Sequence, residues 1–150
     1  NESLERQVEP FAPVLTHNDV VPQNAMLGND GKVYLIDWDY GAYGNPFFDI
    51  AGIATNADAS PEVEERIIEL YFGRVDEGLR RQFQLFKLMI NLREHLWGAV
   101  QELSSKLDLE TVQAGMSSLY PDQAPGYEGY TEMNRQRLLE NLTAFKRLYG

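Results

Sequence analysis

Between positions 17 and 24 the chain reads His17-Asn18-Asp19-Val20-Val21-Pro22-Gln23-Asn24, and the acids Asp37 and Asp39 lie within 15 residues beyond it. Their spacing can be turned into geometry. Two short apolar runs, Asn24 to Gly28 and Lys32 to Ile36, are joined through Asn29-Asp30-Gly31, and Asp-Gly between such runs is a strong hairpin signal. With Asp30 and Gly31 as the two central turn residues, Asn29 pairs with Lys32, and counting back along the ladder sets Asn24 opposite Asp37. Opposed residues of an antiparallel pair lie about 4.5–5.5 Å apart with side chains on one face. A neutral amide oxygen and a carboxylate would then converge at the open end of the hairpin, and a three-residue loop would shift the pairing by one. Two hard oxygen ligands suit Mg2+, which completes its shell with waters and phosphate oxygens. Asp19, in the loop entering that end, could accept a hydroxyl proton or orient the hydroxyl for in-line attack on phosphorus.

The elements that must position these groups can be read in outline. Glu2 to Val8 reads as the tail of a helix stopped by Pro10 and Pro13, and Val14-Leu15-Thr16 as an apolar run leading into the loop. After the hairpin the apolar period becomes helical. One helix opens at Pro46-Phe47-Phe48-Asp49-Ile50-Ala51. A second, with Ser60 as N-cap and Pro61 at its first position, runs to about Phe72. A long third covers about Leu79 to Leu107, with Leu85, Leu88, Leu92, Leu96, Ala99 and Leu103 as its core stripe. A turn-rich segment from Tyr120 to Tyr130 precedes a last amphipathic helix to Tyr149. The expected fold class is α+β, mostly α-helical: a small β-hairpin followed by a helical bundle, in one domain over residues 1–150.

Composition narrows the partners. A formal net charge of −10 gives no basic stripe for nucleic acid or an anionic membrane. The absence of cysteine rules out disulfides and thiolate metal sites and fits a reducing cytoplasm. No apolar run approaches a membrane span, and no signal-like leader is expected.

The H-x-D-x4-N spacing is that of the protein-kinase catalytic loop. Together with Ile36-Asp37-Trp38-Asp39-Tyr40 and Asn45-Pro46-Phe47-Phe48-Asp49-Ile50-Ala51, the chain resembles the choline/ethanolamine kinase branch of the aminoglycoside-phosphotransferase-like family, along essentially its whole length as that family's C-terminal lobe. The resemblance implies ATP and Mg2+ as cofactors, and phosphoryl transfer to the hydroxyl of a small molecule, foremost an amino alcohol such as choline or ethanolamine. It implies Asp19 as catalytic base and substrate contact, His17 beside it as a brace of the loop, Asn24 and Asp37 as metal ligands, Asp39 as a second acid near the metal, and Asp49 as support of the loop from beneath.

The segment Asn91 to Gln101 resembles the helix that gives choline kinases an aromatic wall. Trp97 would offer a cation–π face, with Arg93 one turn earlier, and Tyr40 and Tyr43 could add to the substrate cage. Val100 stands where choline kinases carry a second tryptophan, and Met133 where an aromatic is expected, which leaves room for a smaller amine or for an aminoglycoside, homoserine or thiamine-like alcohol. No Gly-rich phosphate loop or V-A-I-K-like lysine strand occurs, so the nucleotide-gripping N-terminal lobe is expected to lie outside this chain. A catalytically silent kinase-like binding module is the reading from another class. Metal-dependent hydrolysis is a third, but the chain has only two histidines, and such sites call for more His or carboxylate ligands.

Overall fold

A computed structural model describes residues 6–119 and 126–150, with side chains described over 6–115 and 126–150. The chain divides into two compact units, Asn1–Ile90 and Asn91–Gly150. No helix among the described residues is long and apolar enough to cross a membrane.

The first unit is α+β. Strand β1 (Val14–Thr16) is followed by a 3-10 turn (Pro22–Asn24), β2 (Ala25–Leu27), β3 (Val33–Leu35), β4 (Ala42–Gly44), α1 (Phe47–Asn56), α2 (Pro61–Phe72) and the first half of α3 (Glu77–Ser104). β1 pairs antiparallel with β4, and β2 with β3. The second hairpin corrects the expected register: Ala25 faces Leu35 and Leu27 faces Val33, so Asn24 lies opposite Ile36 rather than Asp37. The cause is the loop. Gly31 N–H donates to Gly28 O at 3.0 Å and Gly28 N–H to Lys32 O at 2.7 Å, and Gly31 has φ 77°. That is a three-residue connection ending in a left-handed glycine, a turn that Asp-Gly serves as well as the two-residue one.

The core of this unit is built by the helices. Phe47, Ile50, Ala51 and Ala54 of α1, Ile68 of α2, and Leu79, Phe83, Phe86 and Ile90 of α3 form one buried cluster. The ring of Phe47 stands 5.1 Å edge-on to Phe11 and 5.7 Å from Phe86. Burying the Phe side chains contributes about 2–3 kcal/mol each. A buried polar tie joins α2 and α3: Glu64 accepts from Gln84 Nε2 at 2.7 Å and from the Lys87 ammonium, with side-chain exposures of 10% and 15% for the acid and the lysine. Lys87→Met leaves that carboxylate without its countercharge and is expected to cost about 3 kcal/mol of stability, measured as the shift in urea midpoint. A loss below about 0.5 kcal/mol would show that Glu64 is solvated.

The second unit comprises the rest of α3 from Asn91, α4 (Leu109–Leu119) and α5 (Gly126–Tyr149). Its buried set is Val112, Tyr130 and Phe145 with the polar Asn91, Glu94 and Asn134. A methyl group at Gly98 would overlap Thr131 Oγ1 and stand 3.2 Å from the Tyr130 ring, so glycine lets α3 and α5 approach closely.

Several expectations are corrected. In the α3 stripe Leu85 and Leu88 are buried, but Leu96 and Leu103 are exposed, and the helix ends at Ser104 rather than near Leu107. Helix α4 was not anticipated. Of the segment from 120 to 130, residues 120–125 lie outside the described residues, and Gly126 to Tyr130 are already helical. Of the expected N-terminal helical tail, residues 1–5 also lie outside, and Arg6 and Gln7 form a turn. Ser60 is the N-cap of α2 and Pro61 its first residue, as expected, but the Ser60 hydroxyl donates to Glu62 at 2.7 Å and does not accept a helix amide.

Two helix starts carry acid-sensitive caps. Asp76 accepts the Leu79 N–H at 2.9 Å, and Asp108 accepts the Thr111 N–H at 2.9 Å and its hydroxyl at 2.8 Å. The backbone hydrogen bonds from Leu79 and Thr111 hold the two carboxyls below the ordinary aspartate range. A depressed folded-state pKa gives stability that is complete above the unfolded value and lost as pH falls through the folded one. Thermal melts from pH 6 to 3 should therefore show a smaller fall in Tm for Asp108→Asn, which keeps a neutral cap, than for the parent. Equal falls would contradict this.

Candidate active site

The loop between β1 and the 3-10 turn is held from three sides. From below, the carboxylate of Asp49, in the first turn of α1, accepts consecutive backbone N–H groups, His17 at 2.7 Å and Asn18 at 2.8 Å. That fork demands an unusual backbone: Asn18 has φ 64°, a left-handed conformation that Asn tolerates better than most residues. Asn18 Nδ2 reaches across to Tyr40 O at 2.9 Å. Further along, Asn56, the last residue of α1, donates to Val20 O at 2.8 Å.

His17 ties the loop to the end of β3. The residue is fully buried. Its Nε2 lies 2.8 Å from Ile36 O, and its Nδ1 accepts the Asp19 N–H at 3.3 Å. A carbonyl can only accept and an amide can only donate, so the two contacts together assign the Nε2–H tautomer. The Trp38 ring lies against the imidazole, centroids 4.7 Å apart, and is itself anchored by Nε1–H to Leu35 O at 2.9 Å. His17 is therefore engaged at both nitrogens as a strut.

Asn24 closes the constellation. Its Nδ2 donates to Asp19 O at 3.0 Å and to Asp19 Oδ2 at 3.3 Å, and its backbone carbonyl accepts Ile36 N–H at 2.9 Å. With the amide nitrogen committed to Asp19, the amide oxygen is the atom left for a ligand. Asp37 follows Ile36 directly and carries φ 62°, so the chain leaves β3 through a left-handed residue two positions beyond the strand. The Asp37 and Asp39 side chains are exposed, and among the described residues neither is engaged by a hydrogen bond or ion pair.

The fit to a divalent cation is specific in kind. No group of three or more His, Asp or Glu side chains among the described residues could hold a metal ion alone. An oriented amide oxygen and a free carboxylate fit a cation that brings most of its shell with it, as Mg2+ bound to phosphates does.

The residues expected at the substrate end fall in both units. Tyr40 and Tyr43 belong to the first and are largely exposed. Tyr43 sits in β4 opposite Leu15. Trp97 belongs to the second unit, 41% exposed, with its ring perpendicular to Tyr127 (5.8 Å, 76°) and to Tyr130 (5.7 Å, 79°). Arg93 bonds the Glu94 carboxylate. Trp38, Asn56, Glu94 and Tyr127 were not singled out from sequence. Contacts such as Asn56 to Val20, 36 residues apart, leave no local pattern to read.

Comparison with known proteins places this arrangement. Residues 1–85 match the model of the phosphotransferase enzyme family (APH). The protein LicA of Haemophilus influenzae is 32% identical over 93 residues, covering 57% of this chain and 34% of LicA. Among solved structures, a choline/ethanolamine kinase family protein from Mesorhizobium loti superposes with a TM-score of 0.72 at 19% identity, covering 98% of this chain and 45% of that one. The choline kinase LicA from Streptococcus pneumoniae superposes with a TM-score of 0.70 at 20% identity, covering 95% and 45%. The chain thus spans about a third of the curated relative and under half of each solved structure. It has the fold of the matching part of those kinases and belongs to the phosphotransferase enzyme family.

Proposed function

We propose that this chain is the catalytic-loop and substrate lobe of an ATP-dependent small-molecule kinase whose acceptor is an amino alcohol such as choline or ethanolamine. The observation that carries the reading is the Asp49–loop–Asn24 arrangement: an acid at a helix start grips two consecutive amides, and Asp19 and Asn24 are joined by hydrogen bonds. The likeness to a choline/ethanolamine kinase family protein and to the choline kinase LicA supports the acceptor class.

In the reaction the acceptor hydroxyl oxygen forms a bond to the γ-phosphorus of ATP. The bond from that phosphorus to the bridging oxygen breaks, and ADP leaves. Asp19 Oδ accepts the hydroxyl proton, and its backbone N–H, fixed on His17 Nδ1, keeps the carboxylate in place. Asn24 Oδ1 and Asp37 would hold Mg2+, with Asp39 nearby; when bound, the cation neutralises charge on the phosphate oxygens. Asp49 and His17 position the loop and do not touch the reacting atoms.

The parts that grip the triphosphate lie, in this reading, in sequence outside these 150 residues. The β2–β3 hairpin supports this: Leu27 and Val33 face each other across it with 74% and 68% exposure, and a two-stranded hairpin with uncovered apolar faces is marginal in water by itself. The 150-residue chain alone is therefore expected to turn over negligibly in a coupled ADP-release assay with Mg-ATP and choline or ethanolamine. Ordinary turnover by the isolated chain would overturn the two-lobe reading.

A further inference from the structure

Helix α1 meets the loop twice. Asp49, in its first turn, takes the His17 and Asn18 amides, and Asn56, its last residue, donates Nδ2–H to Val20 O at 2.8 Å. A carbonyl can only accept, so the amide nitrogen is the atom turned to the loop. Seven residues make two helical turns, about 10.5 Å of rise, and return to the same face within about 20°. One rigid helix therefore holds the chain on both sides of Asp19. A leucine or lysine at this position would favour the helix more; what the asparagine adds is a bond between residues 36 positions apart.

The effect of that bond reaches past Val20. Val20 O and Val21 N–H belong to one peptide plane, and the Val21 N–H donates to Asp19 O at 3.0 Å. Asp19 O also accepts Asn24 Nδ2 at 3.0 Å, and Val21 O accepts the Asn24 N–H at 3.0 Å. Rotation of the 20–21 plane would unseat the contact at the same carbonyl that orients the Asn24 amide. Among the described residues Asn56 is the partner of Val20 O. The Asp49 fork ends at Asn18, so the torsions of Asp19 and Val20 lie beyond its hold.

We propose that Asn56 is a positioning residue for Asp19 and Asn24: through the 20–21 peptide it fixes the backbone from which the base and the ligand-facing amide oxygen project. This deepens the kinase reading and rests on it. Asn56 touches no reacting atom. It acts by completing a two-point grip in which the spacing along α1 sets the shape of the loop. In-line transfer is sensitive to such placement, because a shift of about 1 Å in a catalytic group can cost about 100-fold in rate.

Asn56→Leu separates placement from stability, since leucine is close in shape, forms helix better and lacks the donor. In the full-length protein it is expected to lower kcat by about 10–100-fold, with KM for Mg-ATP and for the alcohol within about twofold. Its Tm is expected within about 4 °C of the parent, the reach of one lost hydrogen bond. Ile68→Val, which trims the core on α2, should lower Tm comparably and keep kcat. Amide exchange followed by NMR gives a readout independent of turnover. Asn56→Leu should speed exchange at Val21 about 10-fold and leave His17 and Asn18, held by Asp49, as in the parent. Full kcat in Asn56→Leu, unchanged exchange at Val21, or an equal fall of kcat in Ile68→Val would overturn the proposal. A parent protein that transfers no phosphoryl group would sink the kinase reading alone, and the exchange rates would still decide for or against the grip.

Discussion

Asp19→Asn in the full-length protein is expected to lower kcat by about 10²–10⁴-fold, the usual worth of a positioned general base, with almost no change in Tm. The loop does not depend on the Asp19 charge for its shape. Asn24 bonds the Asp19 backbone carbonyl at 3.0 Å and the carboxylate only at 3.3 Å, and the Asp19 amide rests on His17. An asparagine keeps an oxygen in the same place and the backbone contacts intact, and loses only the ability to take up a proton. Steady-state kinetics beside a thermal melt separates the two effects. An unchanged kcat would remove the assignment of Asp19 as base.

Asp49→Ala should do the reverse and damage fold and activity together. It withdraws both acceptors from the His17 and Asn18 amides, and hydrogen bonds to a charged group are worth about 1.5–3 kcal/mol each. The left-handed Asn18 backbone then carries its strain, of order 1 kcal/mol, with nothing to hold it. A loss of about 3 kcal/mol is expected in urea unfolding, with kcat down at least about 100-fold even where the variant remains folded. Asp49→Asn, which can still accept from one amide, should fall between. Full kcat in a destabilised Asp49→Ala protein would mean that the loop holds its geometry by other means.

How much of this could be read without coordinates varies with the range of the interaction. The loop from His17 to Asn24 and the hairpin after it are local features, and local signals expose them: eight residues of fixed spacing, then Asp-Gly between apolar runs. The register was not legible, because Asp30-Gly31 serves two turn geometries that differ by one residue, and the left-handed Gly31 selects the one that moves Asp37 off the rung of Asn24. The α3 stripe shows the second limit. Periodicity places Leu85, Leu88, Leu96 and Leu103 on related faces, but it cannot say what covers each one, and the last two are exposed. The substrate end shows the third. Trp97 stands out by its type, whereas Glu94 and Tyr130 become a pair only when residues 36 positions apart meet.

Transfer of a phosphoryl group from ATP to an alcohol at this loop can be read directly by 31P NMR of the full-length protein incubated with Mg-ATP and choline or ethanolamine. A phosphomonoester signal is expected to grow in step with ADP, absent without the alcohol and absent in Asp19→Asn. Inorganic phosphate growing in its place, or no change in ATP at all, would contradict it.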